Sequence, residues 1–177
     1  SNLAIAQSNG QPGLTTSDVA GGFLTLGGSS SITVSGAGAG RDAITLDGHS
    51  SAYTVTIPTV TLTTDSMRHG LVLRDLGAGS NVTISAGTIT SKGAGRRAVY
   101  FPAGTNGNFN LSNVKLVADN SDGLALNSSQ AGTYRFGEVT LGNPNGGNGV
   151  SVNSSGAAVT LAKLTQKGGT NGIKLTS

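Results

Sequence analysis

Apolar and polar residues alternate along this chain in bursts of three to five, and the bursts recur in a fixed order. A first short strand is predicted at Ile44-Thr45-Leu46, Leu71-Val72-Leu73, Val99-Tyr100-Phe101, Leu124-Ala125-Leu126, Val150-Ser151-Val152 and Ile173-Lys174-Leu175. Between their first residues the intervals are 27, 28, 25, 26 and 23, a period that belongs to solenoids rather than to globular domains. A second signature follows each burst. Its copies are Val55-Thr56-Ile57 with Val60-Thr61-Leu62, Val82-Thr83-Ile84 with Ile89, Phe109-Asn110-Leu111 with Val114-Lys115-Leu116, Tyr134-Arg135-Phe136 with Val139-Thr140-Leu141, and Val159-Thr160-Leu161 with Leu164. Period-two alternation broken by Gly, Ser, Asn or Pro predicts short half-buried strands, and no stretch sustains helical spacing.

Three strands of about four residues and three turns need roughly 20 to 30 residues, which the interval matches. One such coil cannot bury its apolar face alone, whereas coils stacked at about 4.8 Å share a core and pair in parallel. The predicted fold is therefore all-β, a parallel β-helix of about six coils, each of roughly 23–28 residues with three short strands. A right-handed coil is expected because parallel crossovers are right-handed in nearly all cases. Residues 1–18 read as an extended lead-in, with Ser1-Asn2 as a tag remnant. Residues 19–177 read as a single β-helix domain, with Leu24-Thr25-Leu26 and Ile32-Thr33-Val34 as an imperfect first coil, cut from a longer protein. Before the first strands stand His69-Gly70, Asp122-Gly123, Asn148-Gly149 and Asn171-Gly172, pairs that predict a backbone at positive φ.

Composition sharpens this picture in two ways. The 29 Gly, with abundant Ser, would suit disorder, but Val, Ile, Leu and Thr at strict spacing supply enough apolar surface for a packed stack. Cysteine is absent, so neither disulfides nor thiolate chemistry is available, and stability must come from the stack itself. No apolar run approaches about 18 residues, so direct membrane insertion of this segment is not expected.

The stretch Val82-Thr83-Ile84-Ser85-Ala86-Gly87-Thr88-Ile89-Thr90-Ser91-Lys92-Gly93 is typical of the repeated phrase. From about Leu24 onward the chain resembles passenger domains of Gram-negative autotransporters, the pertactin-like surface adhesins. The resemblance implies a right-handed β-helix, secreted or displayed on the outer membrane of a bacterium, serving adhesion and virulence. The Arg-Gly-Asp integrin motif of some members is missing, since Gly40-Arg41-Asp42 has another order, and integrin binding is not carried over.

The fold also hosts polysaccharide lyases and hydrolases, and these need two carboxylates about 5 to 10 Å apart. Asp47 and Asp75, which follow first strands on consecutive coils, are the best-placed pair among the eight acids. Turn Asp residues have an ordinary explanation in side-chain to backbone hydrogen bonds, and no catalytic residue is assigned. No acidic repeat supplies the six to eight oxygens calcium takes, and His49 and His69 fall in different turns. Neither a metal nor a cofactor is expected. Gly38-Ala39-Gly40-Arg41-Asp42-Ala43 and Gly93-Ala94-Gly95-Arg96-Arg97-Ala98 match a loose nucleotide fingerprint, but that fingerprint needs a helix where each copy here opens a strand.

Stacking the turns gives one column of Arg41, Arg68, Arg96 and Ser121, and beside it one of Asp42, His69, Arg97, Asp122, Asn148 and Asn171. Arg41, Arg68 and Arg96 are the candidate binding residues, a basic stripe for sulfate, carboxylate or phosphate groups. The plainer reading is a solvated turn balanced by Asp42, Asp65 and Asp122. The net charge of +3 and the lack of interleaved aromatics argue against nucleic acid. An ice-binding lattice is also unsuited, because the column Thr56, Thr83, Asn110, Arg135, Thr160 is broken by Arg135. The expected function is thus a non-enzymatic adhesive scaffold whose partner is a host or bacterial surface protein or glycan, and whose oligomeric state is open. The alternative is a polysaccharide-binding or polysaccharide-cleaving β-helix.

Overall fold

The computed structural model describes residues 3–7, 12–16, 22–28, 30–34, 42–48, 51–64, 69–102, 104–127, 132–142, 147–153 and 156–176. In chain order the strands are β1 (Ala4–Gln7), β2 (Leu14–Thr16), β3 (Gly22–Thr25), β4 (Ser31–Val34), β5 (Ile44–Asp47), β6 (Tyr53–Ile57), β7 (Thr59–Thr64), β8 (Leu71–Arg74) and β9 (Asn81–Ile84). They continue as β10 (Gly87–Ser91), β11 (Arg97–Phe101), β12 (Gly107–Leu111), β13 (Val114–Ala118), β14 (Asp122–Asn127), β15 (Gly132–Leu141), β16 (Asn148–Asn153), β17 (Ala158–Gln166) and β18 (Asn171–Thr176). Among the described residues none is helical.

Every pairing is parallel and joins a strand to its counterpart one turn away. The first strands of successive turns form a seven-stranded sheet, β2-β5-β8-β11-β14-β16-β18. Second and third strands form two further columns, which the long β15 and β17 join into one eleven-stranded sheet. This is a parallel β-solenoid. From Ile44 it completes about five turns rather than the six expected, because the sixth phrase supplies β18 alone. Before Ile44, β1 pairs with β4 and β2 with β5, so residues of the expected lead-in stand within the same columns.

Alternation places one side of each strand inside. Val55, Ile57, Val60, Leu62, Leu71, Leu73, Val82, Ile84 and Ile89 are all at most 1% exposed. At mid-height the interior is filled by rings from two adjacent turns. Phe101 meets Phe109 edge-on at 5.1 Å and Tyr134 at 5.0 Å, while Phe109 and Tyr134 stack at 4.7 Å. The Tyr134 hydroxyl donates to Thr105 O at 2.6 Å, which satisfies its one polar atom inside an apolar core.

Two expectations change. In the turns of β15 and β17 the second and third strands run together. At Gly137 in β15 an added Cβ would lie 2.6 Å from Ser112 O and 2.7 Å from Val114 O, so this position admits no side chain. The glycines before the first strands are likewise not at positive φ. Their reason is close approach: a Cβ on Gly123 would stand 2.6 Å from Gly149 O and 2.5 Å from Val139 Cγ1, and one on Gly149 would stand 2.5 Å from Gly172 O. Backbone meets backbone between turns at this corner, and only hydrogen fits.

Gly123→Ala is therefore expected to lower stability by about 1–3 kcal/mol through overpacking. Phe101→Ala, which empties the centre of the ring cluster, should cost about 3–5 kcal/mol. Chemical denaturation of both variants checks the pair; an unchanged midpoint in either would refute the corresponding contact.

Candidate functional site

The turns leading into the first strands carry the column that the sequence placed beside the basic stripe. Of the stripe itself, Arg41 and Arg68 lie outside the described residues. Arg96 is half-buried, and its N–H donates to Gly93 O at 2.9 Å, closing the turn into β11. Gly93–Ala98 opens that strand and no helix.

The neighbouring column is linked from turn to turn. The His69 N–H donates to Asp42 Oδ1 at 3.0 Å, and the Arg97 N–H donates to His69 Nδ1 at 3.0 Å. Arg97 Nε stands 3.6 Å from Asp122 Oδ2. Asp122 Oδ1 accepts from the Asn148 N–H at 2.6 Å and from Asn148 Nδ2 at 3.2 Å, and Asn148 Oδ1 accepts from Asn171 Nδ2 at 2.8 Å. At this corner a side-chain acceptor from one turn satisfies a backbone donor of the next.

His69 is the centre of the cluster. Its ring lies 4.9 Å from that of Tyr100, Arg97 Cζ sits 4.6 Å from the Tyr100 centroid, and Asn127 Nδ2 donates to the Tyr100 hydroxyl at 3.2 Å. Val72 and Ala125 flank Tyr100 in register and are buried, yet they belong to no part of the core cluster. Burial chiefly, opposed by Asp42 and reinforced by Arg97, Arg96 and Arg74, pushes His69 down to about 4. A neutral ring is also what the geometry requires, since Nδ1 accepts a hydrogen bond.

Asp47 and Asp75 fall one residue out of register on adjacent turns. Asp47 is in register with Arg74 rather than Asp75, and its Oδ2 lies 3.8 Å from Arg74 Nη1. Asp75 begins the next corner with φ at 47°. Among the described residues no group of three or more His, Asp or Glu gathers as a metal would require.

Two outward arrangements were missed by sequence reasoning. On the third-strand face Glu138 lies between Lys163, at 3.3 Å, and Lys115, at 3.9 Å, and accepts from Thr165 at 3.2 Å. The Lys163 hydrogen bond leads the causes that hold the Glu138 carboxyl below its usual range. Its signal was present, because Lys115, Glu138 and Lys163 each directly precede an inward apolar residue. On the second-strand face Asn108 Nδ2 donates to Asn81 Oδ1 at 3.3 Å, and the Thr133 hydroxyl donates to Asn108 Oδ1 at 2.6 Å. The adjoining row does run Thr25, Thr56, Thr83, Asn110, Arg135, Thr160 in register, with Arg135 interrupting it.

No family model matches the chain, and no curated protein or solved structure matches it either.

His69 gives a pH dependence with a definite sign. Its folded value is lowered from 6.5, so its contribution to stability is complete above about pH 6.5 and is lost as pH falls towards 4. The shift corresponds to roughly 3 kcal/mol. Thermal unfolding between these pH values should fall more steeply for the native chain than for His69→Gln; parallel curves would show that His69 does not titrate this way.

Proposed function

We infer that this chain is an adhesive segment of a bacterial surface or secreted protein, a rigid β-solenoid of the kind seen in pertactin-like passenger domains. One observation carries the reading. Its outward positions form rows of linked polar side chains at one-turn spacing, as in Lys115-Glu138-Lys163 and Asn81-Asn108-Thr133. Such rows hold side chains in fixed positions along a rod, which lowers the entropy lost when a partner surface is engaged. The likeness of Val82–Gly93 to the repeats of those adhesins supports the same reading.

Beads coated with the protein are expected to retain epithelial or bacterial cells, with soluble protein competing. Exchanging the outward Lys115, Glu138 and Lys163 together with Asn81 and Asn108 for Ser should weaken retention while leaving the circular dichroism spectrum unchanged. Retention no better than on bare beads for the native protein would end the adhesive reading.

A further inference from the structure

The second-strand face carries a depression that the proposed function does not yet use. It is shallow, about 280 Å³, and is lined by Ala78, Gly79, Asn106, Gly107, Asn108 and Gly132. Its floor has no side chains for a steric reason. A Cβ on Gly107 would lie 2.4 Å from Ser80 O, and one on Gly132 would approach Gly107 O as closely, so the packing of successive turns keeps this corner bare. The walls are carboxamides, and none of the lining residues is charged.

The outward row beside the depression reads Phe23, Thr54, Asn81, Asn108, Thr133, in register from turn to turn. Asn81 and Asn108 are exposed, and Phe23 is 87% exposed, the largest exposure of any large apolar side chain among the described residues. A carboxamide offers two donor hydrogens and two acceptor lone pairs. Asn81 uses one donor on Gly79 O at 2.9 Å and one acceptor position for Asn108. Asn108 uses one donor on Asn81 and one acceptor position for the Thr133 hydroxyl. Each amide is thus held in orientation by its neighbours, and these bonds use one of its two donors and one of its two acceptor positions.

Paired donor and acceptor sites, uncharged, preoriented and repeated every ~4.8 Å along one line, match the vicinal hydroxyls of a sugar polymer, whose residues repeat at a similar length. An exposed aromatic on the same line suits the apolar face of a pyranose ring. We propose that the row from Phe23 to Thr133, with the depression beside Asn106 and Asn108, binds a neutral oligosaccharide lying along the solenoid axis. The site rests on the adhesive reading and specifies its ligand class. Four inter-turn steps separate Phe23 from Thr133, a span of ~19 Å, so the site takes about four hexose units.

Isothermal titration with neutral cello-, laminari-, manno- and galacto-oligosaccharides of increasing length, with heparin alongside, tests this. One neutral series is expected to bind, with affinity rising up to about four units and then levelling. Asn81→Ala with Asn108→Ala should lower that affinity at least ~10-fold, Phe23→Ser should lower it also, and Lys174→Ser, exposed in β18 on the first-strand sheet, should not. Because Asn81, Asn108 and Phe23 are exposed, unchanged unfolding temperatures would confirm that the variants fold. Binding of heparin alone, neutral binding indifferent to the Asn variants, or no length dependence would each overturn the site. Cell retention on beads without any neutral glycan binding would overturn the site while sparing the adhesive reading; loss of both would remove the two together.

Discussion

Parallel backbone pairing between successive turns is the constraint on which the rest of this molecule depends. All three strands of a turn must advance by the same ~4.8 Å for their N–H and C=O groups to find partners in the next. Turn length is therefore held close to constant, and variation is confined to the corners. Inward positions then stand directly above one another, so Val, Ile and Leu form continuous columns, and a bulky residue such as Phe101 must be answered by shape around it, by Phe109 in its own turn and Tyr134 in the next. Corner glycines follow from the same geometry: where two turns touch through backbone, as at Gly123 and Gly149, a methyl group has no room.

The constraint applies equally to the outside, where it poses an electrostatic problem. Identical repeats would stack identical charges about 5 Å apart along the rod. In the described rows unlike groups follow one another instead, acid beside imidazole beside guanidinium in the first-strand corner, and Lys, Glu, Lys on the third-strand face. His69 is neutral because its place in the row leaves it buried and hydrogen-bonded at Nδ1, with arginines nearby that disfavour a second positive charge.

What could be read from the sequence follows the same division. Inward residues must repeat, so the strands from Ile44 onward and their interval were visible without coordinates. β1 was obscured because Ala4 and Ala6 carry little apolar signal. The corner glycines suggested positive φ when they mark close approach, since glycine serves both needs with the same letter. The column Asp42, His69, Arg97, Asp122, Asn148, Asn171 was legible as a column, but its bonds were not, because they depend on rotamers and on backbone donors that a sequence does not display. The Asn81-Asn108-Thr133 row escaped notice since none of these residue types announces chemistry by itself.

The corner ladder has a consequence for how the chain finds its fold. Phrases such as Val55-Thr56-Ile57 and Val82-Thr83-Ile84 are nearly interchangeable, and inward apolar columns alone would tolerate a strand docking one turn out of place. Along Asp42, His69, Arg97, Asp122 and Asn148 no residue is followed by its own kind, and each meets its immediate neighbour in a specific contact. A turn that skipped a neighbour would set Asp42 against Arg97 and leave the Arg97 amide without the His69 nitrogen. The ladder thus works as an address written along one edge, and it distinguishes turns that the core cannot tell apart.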